Sequence, residues 1–457
     1  MVDIVEELVG IVEPGRVVSG DQLKEDCSHD ESLSAEHRYP VAVVLPEETA
    51  EVAAVLAWAD RHGIPVTARG AGTGLSGASV PRVGGVLISF ERMARVIEID
   101  AENGLAVIQP GVTLSQLDEA LEPVGLCYPV YPGEYSASLG GNVATNAGGM
   151  RAVRYGVTRH HVLGLEAVLP SGQVIKTGGR TVKNSSGYDL TQLIVGSEGT
   201  LAIVTEAIVK LVPRPRHRAT VLAPFSTVEE VTAAIPRIVS SGLGPVLLEY
   251  IDMLTMAATT ASAELELGIP AEVKESAQAY LVVGLENPRG ERLDQDAESA
   301  AELLVDLGAM DVYVLPSGAG AALISARERA FWVAKAAGAD DILDVVVPRA
   351  ALAEFISRAR EIGIDNGTGI VGCGHAGDGN VHMAVFQKDP AIRSAVLTEI
   401  FQMGMDLGGA ISGEHGLGTE KKPYFLALED PAKIELMRRI KQAFDPNGIL
   451  NPGNVFD

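Results

Sequence analysis

The chain has 457 residues, enough for two or three domains, and 47% of them are apolar, ample for a full core. A net charge of −24 argues against a nucleic-acid partner, because phosphate would be repelled, and 50 glycines against 5% aromatics favour tight turns over a base-stacking surface. No uncharged apolar run reaches the roughly 18 residues of a membrane span, the start "MVDIVEELVGIVEPG" lacks a basic, apolar leader, and Cys27, Cys127 and Cys373 form no CxxC, so a cytoplasmic globular protein is expected.

In chain order, "TAEVAAVLAWADRH" (49–62) carries Val52, Val55, Leu56 and Ala59 at helical spacing and stops at Gly63. "GIPVTARG" then reads as a short strand leading into Gly72-x-Gly74-x-x-Gly77, the spacing of the dinucleotide fingerprint. That fingerprint needs a helix on its glycines, and Pro81, Gly84 and Gly85 would break one here. Three readings stand at this point: a nicotinamide site, an ordinary glycine turn, or a nest of main-chain N–H groups for a diphosphate. A side chain at Gly74 is expected to block the backbone's approach and to demand a disfavoured φ/ψ.

"GVLISF", "VIEID" and "LAVIQPG" read as strands, and Thr113 with Gln116 forms a capping-box signal for a helix ending at Gly125. Residues 131 to 149 show neither period; such a stretch inside a domain is expected to wrap something. A hairpin around Pro170-Ser171-Gly172 and a long strand in "GTLAIVTEAIVKLVP" complete an α+β half. The Pro/Arg-rich joint "VPRPRHR" (212–218) marks a boundary. Beyond it, "ATVLAP", "PVLLEYI" and "AYLVVGLE" alternate with helices in "TVEEVTAAIPRIVSSG" and "ERLDQDAESAAELLVDLG", which predicts a sheet with helices on one face. His375 and His382 flank "AGDGNV" in a strand–turn–strand pattern, with Glu414 and His415 further on. Imidazole plus carboxylate suits a divalent ion; the alternatives are two hydrogen-bonded core histidines, or Cys373 as a ligand on the same strand face. The tail is expected to hold one helix and, too small for a core, to dock back.

Three stretches, "PVTARGAGTGLSGA", "YPGEYSASLGGNVATNAGGMRAVRYG" and "SSGYDLTQLIVGSEGTLAIVTE", together resemble the FAD domain of the vanillyl-alcohol oxidase and p-cresol methylhydroxylase superfamily. "GHAGDGNVH", "SGEHGLG" and "FDPNGILNPGNVF" resemble its branch of FAD-linked D-lactate and D-2-hydroxyglutarate dehydrogenases and the D subunit of glycolate oxidase. The resemblance implies an α+β fold. It comprises a two-subdomain FAD-binding domain over 1–214, a substrate (cap) domain of antiparallel sheet covered by helices over 215–410, and a C-terminal segment 411–457 that completes the active site and the FAD domain.

The same resemblance turns the glycine loop, Arg69, Gly70, Ala71, Gly72, Thr73, Gly74, Leu75 and Ser76, into a diphosphate cradle for FAD. Pro132 and Gly133, then Ser138, Gly140, Gly141, Asn142, Thr145, Asn146 and Gly148, would wrap the flavin. Glu198, Gly199 and Ile203 would reach the adenosine end, with Asn451 from the tail. Covalent relatives carry histidine where this chain has Leu75, so the FAD is expected to be non-covalent. His375, His382 and Glu414 are implied as ligands of a divalent metal, with zinc the expected ion, and His415 as the base.

The implied reaction oxidises a D-2-hydroxy acid (glycolate, D-lactate or D-2-hydroxyglutarate type) by hydride transfer to flavin N5 with a metal-assisted histidine base. The alternative is a non-catalytic FAD-binding subunit of a multi-subunit dehydrogenase. Where relatives have a Trp-x-x-Arg arginine for the substrate carboxylate, this chain has Lys335; nearby Arg327 and Arg329 are alternative carboxylate partners, though a solvated helix face is the favoured expectation for both. Electrons would leave to a carrier protein, a quinone or a partner subunit, and the homodimer and a peripheral membrane location stay open.

Overall fold

Val52, Val55, Leu56 and Ala59 are all buried along the helix Thr49–His62 in the computed structural model, which describes residues 3–456. Residues 1, 2 and 457, the outermost residues of the expected FAD domain and tail, lie outside the described residues. Gly63 closes the helix in the left-handed region at φ 63°, with its N–H on Ala59 and Asp60 carbonyls. The chain divides into two units, Met1–Ala147 with Val157–Arg214 and Glu414–Asp457, and Gly148–Gly156 with Pro215–Gly413.

The first unit holds two main sheets. Ala42–Val44, Val86–Ser89 and Val66–Arg69 run parallel, with Val17–Ser19 antiparallel at one edge. The second sheet is antiparallel, ordered Val96–Asp100, Leu105–Ile108, Ile203–Lys210, Val162–Val168, Val174–Gly178, the last two joined by the expected hairpin with Gly172 at φ 81°. Thr113 and Gln116 form a reciprocal capping box at 3.2 and 2.9 Å on the helix Leu114–Leu121. The tail returns to the parallel sheet: Val66 N–H donates to Ile449 at 2.8 Å, and Asn451 N–H to Val66 at 2.8 Å. Ile449 and Leu450 thereby join the core of Leu56, Trp58 and Ile88.

Two expectations about helices are corrected. Residues 131 to 149 contain the helix Leu139–Thr145, because Ser138 accepts the N–H of Gly141 at its start and Asn146 ends it at φ 54°. Two glycines and a span of two turns hid the period. The tail has two helices, Lys422–Leu428 and Pro431–Phe444. Asp430 caps the second through Ala432 N–H at 2.8 Å, with Pro431 at its first position.

The second unit is built on a seven-stranded antiparallel sheet in the order Tyr313–Leu315, His217–Phe225, Ala279–Asn287, Leu247–Asp252, Gly369–His375, Asn380–Phe386, Asp341–Val346. Helices such as Val228–Ser240, Gly290–Asp306 and Leu352–Asp365 bury apolar faces in this unit. The short helix Ala152–Tyr155 belongs here, with Arg151 paired to the buried Glu286 at 3.2 Å.

Candidate functional site

In the first unit the strand Val66–Arg69 runs straight into the glycine loop, and no helix follows it. The nicotinamide reading fails on its own geometric requirement. Among the described residues, the main-chain N–H groups of Gly72, Thr73, Gly74 and Leu75 have no protein acceptor, whereas Ala71 N–H is taken by Ser138 Oγ at 3.2 Å. A run of donors left open in this way fits an anion such as a diphosphate.

The glycines differ in what they require. Gly72 sits at φ 77° and a Cβ there would overlap the Arg69 guanidinium, itself fixed by donating to the His29 carbonyl at 2.5 Å. Gly77 sits at φ 75° with Thr419 in its way, and at Gly70 a Cβ would overlap Ser138 Oγ. The expectation for Gly74 is corrected: its φ is not positive, and a Cβ would meet only the Asp30 carboxylate, at 3.3 Å. Burial pushes the Asp30 carboxyl up to about 6, against the lowering pull of N–H bonds from Ser32, Ser79 and Gly77 and of the Arg69 charge.

Several of the other expected cofactor residues in this unit also serve the protein's own structure. Gly140 packs on Pro110, Asn142 is buried, and Thr145 Oγ1 donates to Gly141 at 3.2 Å. Asn146 Oδ1 accepts Arg159 N–H at 2.9 Å, and Gly133 lies at φ 87° with open space beside it, next to Pro132. Ile203 opens a core strand, and Gly199 at φ 68° faces Asn451. Asn451 ties three segments, accepting from Ala68 N–H at 2.9 Å and donating to the Glu198 carbonyl at 2.6 Å. The Glu198 carboxylate accepts Leu417 and Gly418 N–H at 2.7 and 2.8 Å; burial raises its pKa, against those two bonds. Gly148 alone among the expected cofactor residues falls in the second unit.

Glu414 and His415 open the last segment of the first unit. His415 is held by its main chain: its carbonyl accepts Ser76 Oγ at 3.1 Å, and the Ser76 carbonyl accepts Thr419 and Glu420 N–H at 3.0 and 3.2 Å.

In the second unit the sheet register builds a polar cluster from four strands. Cys373 pairs with His382, which pairs with Asp344, and His375 pairs with Asn380. Tyr250 pairs with Gly374, so one step along the strand sets Glu249 beside His375. Opposed residues and residues two apart share a face, so Glu249, Cys373, His375, Asn380, His382 and Asp344 all project to one side. The His375 and His382 rings stand edge-to-face, 4.8 Å apart. His375 Nδ1 lies 2.8 Å from Glu249 Oε1, and Arg327 Nη2 lies 2.9 Å from Glu249 Oε2. Asp344, fully buried, accepts from Asn380 Nδ2 at 2.9 Å and Ser412 Oγ at 2.7 Å. Two imidazoles on one face with carboxylates beside them form a donor set that fits a divalent ion. Burial raises the Cys373 thiol pKa, which works against a thiolate ligand.

The expectation that Arg327 lies on a solvated face is corrected. It is buried in this polar cluster, whereas Arg329 is exposed. Lys335 is exposed on the helix Ala330–Ala336, its ammonium 5.2 Å from the Trp332 ring centroid and 5.9 Å from that of Phe331. Sequence reasoning missed Glu249, Asp344 and Asn380. The one signal for Glu249 was a lone carboxylate inside the apolar strand "PVLLEYI".

Residues 214–455 match the family described as FAD linked oxidases, C-terminal domain, and residues 40–178 match the FAD binding domain. The chain is 58% identical to an uncharacterized FAD-linked oxidoreductase of Mycobacterium tuberculosis over 98% of its own length and 97% of the relative's. It is 37% identical to a D-lactate dehydrogenase of Anaerostipes hadrus, covering 97% and 95% of the two chains. A crystal structure of p-cresol methylhydroxylase with substrate bound shares the fold at a TM-score of 0.79 and 18% identity, covering 99% of this chain and 96% of that one.

Proposed function

The chain belongs to the FAD-linked oxidases, and from that premise we propose that it oxidises a D-2-hydroxy acid of the glycolate, D-lactate or D-2-hydroxyglutarate type to the 2-keto acid. The observation that carries the reading is the edge-to-face pair His375 and His382, backed by Glu249, in a chain with an open-donor glycine loop. When bound, FAD supplies a two-electron acceptor and a divalent ion supplies Lewis acidity toward the substrate oxygen.

The chain's residues would divide the remaining work. The glycine loop binds the FAD diphosphate through the open main-chain N–H groups of Gly72, Thr73, Gly74 and Leu75, without a covalent link, since Leu75 offers no attachment. His375 and His382 hold the ion, zinc by their chemistry, with Glu414 as the third ligand that the family resemblance supplies. Oxidation removes two electrons with the α-hydrogen, and the hydroxyl proton must also leave. A 2-hydroxyl ionises far above pH 7, so His415 takes that proton, a contribution of ~10²- to 10⁴-fold. Lys335 is the cation assigned to the substrate carboxylate, with its point charge in place of a guanidinium fork. Arg327 is a second contender, because it is already seated with His375 through Glu249. Electrons then pass to an acceptor outside the chain.

The test is anaerobic mixing of the purified, flavin-loaded protein with a panel of D-2-hydroxy acids. Bleaching of the flavin bands by at least one acid, abolished in His415→Asn at full flavin content, supports the reading. A protein that no hydroxy acid reduces, with or without added zinc, is a binding subunit and not this enzyme.

A further inference from the structure

We propose that Glu249 is a positioning residue for His375, fixing the ring so that Nε2 meets a divalent ion while cancelling the charge of Arg327; this rests on the reading of His375 as a ligand. Glu249 lies 1% exposed in the strand Leu247–Asp252, a costly place for a carboxylate. If it served only to neutralise Arg327, the favoured geometry would give both oxygens to the guanidinium fork. Its oxygens are instead divided, Oε2 facing Arg327 Nη2 at 2.9 Å and Oε1 facing His375 Nδ1 at 2.8 Å.

A carboxylate can only accept, so the proton of a neutral His375 sits on Nδ1 and the lone pair on Nε2, across the ring from Glu249. That is the tautomer a metal requires, chosen before the ion arrives. His382 is set differently. Its Nδ1 is 3.7 Å from Asp344 Oδ1, beyond a hydrogen bond, and Asp344 already accepts from Asn380 and Ser412. Glu249 has a second effect. A guanidinium one residue away from the ligand would oppose an incoming cation, and the shared carboxylate offsets it.

Zinc affinity of the full-length, FAD-loaded protein, measured by competition with a chromophoric chelator, tests the assignment. Glu249→Gln keeps the shape but removes the charge, and is expected to weaken zinc binding about 10- to 100-fold with flavin content and circular dichroism unchanged. Glu249→Asp keeps a counter-charge for Arg327 and serves if the glutamine variant does not fold. Its carboxylate is drawn back one methylene from His375, so zinc binding weakens there too. Wild-type zinc affinity in either folded variant overturns the positioning role. A wild-type protein that binds no zinc overturns the reading of His375 as a ligand, a separate failure.

Discussion

Ser76 and His415, 339 positions apart, are joined at 3.1 Å by the Ser76 hydroxyl and the His415 carbonyl. The glycine loop thus holds the main chain of the residue assigned as base. Glu198 holds the same turn through Leu417 and Gly418 N–H.

Glu198→Ala should therefore loosen this turn. It leaves the part-buried Leu417 N–H and the buried Gly418 N–H without their acceptor, a cost of ~1–3 kcal/mol each at most. The expected result is a lower unfolding midpoint and faster hydrogen exchange at residues 415 to 418, read by mass spectrometry on the flavin-loaded protein. Exchange at the wild-type rate would mean that the turn is held elsewhere.

The glycine loop makes a graded prediction. Gly72→Val combines a positive φ with overlap on Arg69 and should abolish flavin binding. Gly74→Ala meets only Asp30 at 3.3 Å and should retain most of it. Absorbance ratios of the purified variants decide, and equal flavin loss in both would remove the distinction drawn from φ.

Asp30 gives a pH dependence. Its folded pKa, raised by burial to about 6 from 3.8, means that the folded state holds the proton more tightly than the unfolded chain. Its contribution to stability is fully present at low pH, falls as pH rises between those two values, and is level above about 6. The ionised form also sets a negative charge against the loop proposed for the diphosphate. FAD affinity of the wild type should weaken as pH rises through about 6, and Asp30→Asn should lose that step. Parallel titration curves for the two proteins, from equilibrium dialysis, would exclude Asp30 as the cause.

Lys335→Ala should raise KM for the hydroxy acid with a smaller change in kcat, since it removes binding to a distant carboxylate. Lys335→Arg, which restores a fork, should lower KM or change preference within the panel. Steady-state kinetics unchanged in both variants would place Lys335 outside the site.

Non-covalent attachment predicts that acid precipitation releases all the yellow colour to the supernatant. Colour retained by the washed pellet would contradict the inference from Leu75.

Local signals carried much of this structure in the sequence. Gly63 as a helix stop, the Thr113–Gln116 box and the Pro170-Ser171-Gly172 hairpin each involve residues within a few positions of one another, and each formed as read. The helix Leu139–Thr145 was hidden because its glycines suit close packing, as at Gly140 on Pro110, rather than helix propensity. The Glu249–His375 contact could not be seen locally: it depends on which of seven strands lie side by side, across 126 residues. Arg327 was misread for the same reason, since its burial depends on a buried carboxylate from a remote strand.

The bridge between Val66 and Leu450 bears on how the chain is made. Leu450, the bridge partner of Val66 on the edge strand of the parallel sheet, leaves the ribosome 384 residues later, or roughly 20–80 s at bacterial or eukaryotic elongation rates. The segment Pro215–Gly413 is finished before that. The nascent first unit must wait with Leu56, Trp58 and Ile88 short of the apolar cover that Ile449 and Leu450 provide. Ribosome-bound chains stalled before residue 449 should be more open to protease in the first unit than released chains of 457 residues, which makes this last bridge a checkpoint of synthesis.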